Sequence, residues 1–70
     1  MPHTLLQNTD FFVAALSETF ISAWQLDHEG MYAQVGLGRV TKFTDEYVRI
    51  VNLDGSVSIY DRSVTKFHRK

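Results

Sequence analysis

The chain has 70 residues, no cysteine, seven Lys and Arg against eight Asp and Glu, and a formal net charge of −1. Without cysteine there is neither a disulfide nor a thiolate metal site, and His3, His28 and His68 are too widely spaced for a paired ligand motif, so no covalent or metal staple holds the fold. A chain of this size buries only about 60% of the surface it exposes when unfolded, which leaves one marginal core and favours association between copies.

The net charge hides a split. Asp10, Glu18, Asp27 and Glu29 precede residue 38 with no basic neighbour, whereas all seven bases, from Arg39 to Lys70, follow it. Two surfaces of opposite potential are expected, the basic one suited to an anionic polymer. The longest apolar run, Phe11 to Leu16, falls far short of the roughly 20 residues of a spanning helix, and the N-terminus lacks the basic start of a signal peptide. A soluble, cytoplasmic protein with no membrane segment is expected.

Met1 to Gln7 reads as a tail or the lead-in to a helix. Asn8, Thr9 and Asp10 can each cap one, because their side-chain oxygens accept from the orphaned N–H groups of a first turn. Phe12, Ala15, Leu16, Thr19 and Phe20 then recur at helical spacing, which predicts a helix over about 9–19 with that stripe turned to the core or to a subunit contact. Residues 20–26 fit a continued helix or a strand with Phe20, Ser22, Trp24 and Leu26 on one side. Their aromatic and β-branched content favours the strand. Asp27 to Gly30 is a turn in which Gly30 supplies a positive φ.

Gly36 and Gly38 punctuate Tyr32 to Phe43, where glycine marks a bulge or bend that lets one strand serve two sheets. Thr44 to Glu46 is a polar turn, Tyr47 to Val51 a strand, and Asp54-Gly55 a hairpin signal. Val57 to Tyr60 and Val64 to His68 close the series. The expected fold is a single, mainly β domain: an N-terminal α-helix followed, over about 20–68, by a five-stranded, strongly bent antiparallel SH3-like small barrel.

Gly38-Arg39-Val40-Thr41-Lys42-Phe43, followed by an acidic turn and Tyr47-Val48, resembles the first motif of the Sm-like family, and Tyr60-Asp61-Arg62-Ser63-Val64 resembles the second motif of its bacterial Hfq-like branch at Tyr60, Ser63 and Val64. The resemblance covers roughly residues 38–68. It implies a homo-oligomeric ring in which the fourth and fifth strands of the barrel pair between neighbours, and single-stranded RNA as ligand. Asp61 stands where the family has a cation, Arg62 stands at its histidine position, and Ser17, Glu18 and Thr19 replace its helix arginines. Ile59 to Phe67 also resembles Sm-like inhibitors of transcription terminators, which implies a protein partner as the alternative to RNA.

The RNA-contact candidates are Tyr47, Tyr60 and Arg62, because aromatic faces beside a cation are what single-stranded bases stack on. Lys66, Arg69 and Lys70 with His68 are suited to phosphate, and Trp24 to an interface. Dispersal of Arg39, Arg49, Arg62 and Lys66 over separate faces would favour a protein-interaction module. No enzyme, cofactor or metal is expected: no nucleophile sits with a base and an orienting acid, Asp45-Glu46 is explained as a turn, and Gly36 and Gly38 lack the third glycine of a dinucleotide loop.

Overall fold

A computed structural model describes residues 3–69; Lys70, one of the phosphate candidates, lies outside the described residues. The elements in chain order are β1 (His3–Leu5), α1 (Asn8–Leu16), β2 (Phe20–Leu26), β3 (Tyr32–Phe43), β4 (Tyr47–Asn52), β5 (Val57–Asp61) and β6 (Thr65–Arg69). All strand pairs are antiparallel and form one six-stranded sheet in the order β1-β6-β2-β3-β4-β5. Residues 20–26 are thus a strand. Strand pairing among the described residues leaves the sheet open, with β1 and β5 as its edges.

Within the N-terminal lead-in, His3–Leu5 form a strand because Leu5 is buried at 2% exposure opposite Phe67, a gain that a disordered tail forgoes. Asp10 starts the helix by accepting the backbone N–H groups of Leu6 and Gln7, each at 3.0 Å. The helix ends at Leu16, three residues before the expected boundary. There Glu18 takes φ 52°, its N–H donates to Ala15 O (3.3 Å) and that of Thr19 to Ala14 O (3.2 Å). These are the two bonds of a Schellman stop, here made without glycine.

The buried face of α1 is Phe11 and Ala14, not the expected stripe: Phe12 is 55% and Leu16 71% exposed. Two adjacent phenylalanines permit either helical register, and the contacts decide between them. Phe11 lies edge-on to Phe67 (5.3 Å between ring centroids) and tilted to Phe43 (6.0 Å). The core between helix and sheet is completed by Leu5, Ile21, Ala23, Val40, Val48 and Ile50.

β3 bends through two bulges. Ala23 pairs with Gly36 and Trp24 with Gln34, so Val35 is an extra residue; Val40 pairs with Ile50 and Lys42 with Arg49, so Thr41 is another. Each bulge reverses the alternation, and the second is why Val40 is buried and Phe43, three residues on, also packs against the core. The glycine signal therefore pointed to the right strand. Gly36, beside the first bulge, makes room for the Tyr60 ring, whose hydroxyl donates to Val35 O at 3.2 Å.

Candidate functional site

The face of the sheet opposite the core carries two rows of side chains fixed by the strand register. Thr4, His68 and Ser22 form one row across β1, β6 and β2; Lys66, Trp24 and Gln34 form the next across β6, β2 and β3. Tyr32 follows opposite Leu26. Residues directly opposite on antiparallel strands share a face at Cβ separations of about 4.5–5.5 Å, so these groups adjoin. Together with Leu6 and Arg69 they line a groove of about 750 Å³. A second depression of about 640 Å³ shares Leu6, Tyr32 and Lys66 and extends to Arg62 and Val64.

The groove is internally ordered. The Trp24 indole N–H donates to Ser22 Oγ at 2.8 Å, and the His68 ring meets the indole edge-on at 6.3 Å. His68 Nδ1 lies 3.2 Å from Thr4 Oγ1. The Lys66 ammonium sits 4.6 Å above the Tyr32 ring, a cation–π arrangement. No Asp or Glu lines either depression among the described residues. In a chain of net charge −1, this face is a local exception that attracts anions.

The four sequence candidates do not converge. Lys66 lines both the groove and the adjoining depression, and Arg62 lines the second alone. The Arg62 guanidinium is largely committed to the fold: it donates to Asn8 Oδ1 (2.6 Å), Thr44 O (2.5 Å) and Leu6 O (3.1 Å) and lies 4.6 Å over the Phe11 ring. Tyr60 packs edge-on to Phe67 at 6.3 Å, under the bend of β3. Tyr47 is half-buried at the start of β4 opposite Asp61. Trp24 and His68 were legible as candidates. Tyr32 and Gln34 were not, because which strands lie beside β2 is a tertiary fact.

Asp61, the departure from the second motif's cation, works as a turn cap. Its Oδ1 accepts from Ser63 Oγ (2.7 Å) and Ser63 N (2.8 Å), and Asp54 does the same with Ser56 (2.6 and 2.9 Å). The serine hydroxyl first, and the backbone N–H second, hold each exposed carboxyl below its ordinary value of 3.8. A depressed folded value contributes stability that is complete above the unfolded value and is lost as pH falls through the folded one. The double variant Asp54→Asn, Asp61→Asn is therefore expected to lose less stability than the parent between about pH 5 and pH 2, measured as urea midpoints. An equal or steeper loss contradicts the capping role.

Among the described residues there is no cluster of three or more groups able to hold a metal, and no helix long and apolar enough to cross a membrane. Comparison with protein-family models, curated proteins and solved structures gave no match to this chain.

Proposed function

We propose that the chain is a divergent Sm-like small-barrel protein that binds single-stranded RNA along the groove on the outer face of its sheet. The observation that carries this reading is the convergence of Trp24, Tyr32, His68 and Lys66 on a surface that no carboxylate lines. Aromatic platforms beside cations hold successive bases with little regard to sequence, and the cations supply a salt-dependent hold on the backbone. The strand order β6-β2-β3-β4-β5, with a twelve-residue bent β3 beside β2, supports the barrel topology that the sequence motifs imply.

The same reading makes the protein a homo-oligomer. Phe12, Val13 and Leu16 on the helix and Val57 and Ile59 on the free edge strand β5 are exposed, and a helix apolar on both sides belongs in a covered position. Ring closure through β5 and β6 of neighbouring subunits requires β1 to leave the outer edge of β6, which it occupies in three pairs. Light scattering after size exclusion at tens of micromolar tests this; a monomer removes the ring.

The RNA claim is tested by gel shifts with uridine-rich and adenosine-rich oligomers at two salt concentrations. Binding should weaken with salt, and Trp24→Ala should cost about 1–3 kcal/mol for every oligomer. Arg62→Ala should instead lower folding stability by about 1–3 kcal/mol and leave affinity nearly unchanged, since three of its five donors and one face of its guanidinium are engaged within the fold. Absence of salt-sensitive binding would falsify the proposal and leave the second reading, a protein-interaction module. That alternative is favoured by one observation: Arg62 is turned towards α1, apart from Arg39 on β3 and Arg49 on β4.

A further inference from the structure

We infer that Gln34 is the residue with which the groove reads the base stacked on Trp24. This rests on the RNA reading above and adds to it a basis for specificity. Base discrimination needs a side chain beside the stacking ring whose donor and acceptor are both free. The polar groups of the groove can be taken one at a time. The Trp24 N–H is held by Ser22 Oγ, and Ser22 Oγ also reaches His68 O at 3.4 Å. Thr4 and His68 Nδ1 are engaged with each other, and Lys66 lies over Tyr32 and has donors only. Gln34 remains.

Its position is also correct. Gln34 stands directly across the β2–β3 ladder from Trp24, on the side of the indole away from Lys66. The first β3 bulge places it there, because without the extra residue Val35 the alternation would turn position 34 to the other face. The side chain is exposed, and its amide has no hydrogen-bond partner among the described residues. An amide offers one acceptor beside two donors in a plane, which matches the edge of a base that carries a donor next to an acceptor. With a base laid on the indole and its phosphate drawn to Lys66, the free edge of that base faces Gln34.

The test uses the full chain and the four 12-nucleotide RNA homopolymers at fixed salt, read by fluorescence anisotropy. The parent should bind its best homopolymer roughly 5- to 100-fold more tightly than its worst. Gln34→Ala should collapse that ratio to within about twofold with the salt slope unchanged, since no phosphate contact is lost. Gln34→Glu keeps an acceptor and loses the donors, and should reorder the four affinities. An exposed strand position tolerates both changes, and an unaltered thermal midpoint checks that. A ratio that survives Gln34→Ala, or a parent that does not discriminate, overturns the inference while salt-sensitive binding still stands. Loss of salt-sensitive binding in the parent overturns the RNA reading itself, so the two failures are distinguishable.

Discussion

Phe11→Ala is expected to remove about 3–5 kcal/mol of folding stability. A 70-residue domain holds roughly 4–10 kcal/mol in total, so this one change takes up to the whole of it. The size follows from position. Phe11 is 1% exposed, touches the rings of Phe67 and Phe43, and carries the Arg62 guanidinium on its face, so truncation opens a cavity that the aromatic cluster, the helix and the β5–β6 turn all border. Its neighbour provides the control. Phe12 is 55% exposed, and Phe12→Ala should change monomer stability by no more than about 0.5 kcal/mol while weakening any self-association. Urea unfolding at two protein concentrations separates these effects. A larger loss for Phe12→Ala than for Phe11→Ala at low concentration would show that the helix packs in the other register.

The second large effect is expected at Gly38. A Cβ there would collide with the Val51 carbonyl oxygen and stand 2.7 Å from Ile50 Cγ2, so the partner strand itself is in the way. Strand β4 can yield only by giving up pairs of the β3–β4 ladder around Gly38↔Asn52 and Arg39↔Val51. Gly38→Ala should therefore cost about 1–3 kcal/mol or more and broaden the amide resonances of β4. Gly55 offers a comparison of different origin. It has φ 87° and open space around it, so Gly55→Ala should cost only the left-handed backbone penalty of about 1–2 kcal/mol and leave β4 undisturbed. A Gly38→Ala protein with the parent's thermal midpoint would contradict the close approach.

The groove and the core differ in how far each could be read from the chain. Period-two alternation already places Ser22, Trp24 and Leu26 on one side of a strand and Lys66 and His68 on one side of another. Which side, and beside which partner, follows from pairing that joins residues more than forty positions apart, such as Ser22 with His68 and Trp24 with Lys66. Tyr60 and Arg62 resemble motif positions yet are committed within the fold. A tyrosine over a glycine and an arginine over a phenylalanine are satisfied locally, and nothing in their own sequence neighbourhood reveals the glycine at 36 or the ring at 11.

The sequence by itself determined the mainly β character, the helix at its start, the turns at Asp27–Gly30, Thr44–Glu46 and Asp54-Gly55, and the segregation of charge, because each is written in residues adjacent in the chain. Tertiary structure alone decided which phenylalanine of the Phe11-Phe12 pair is buried, that His3–Leu5 pair with β6, and that Trp24, Tyr32, Gln34, Lys66 and His68 share one groove. The physical reason is the same in each case. Helical and strand periods leave the choice of face degenerate, and only burial against a distant partner removes the degeneracy.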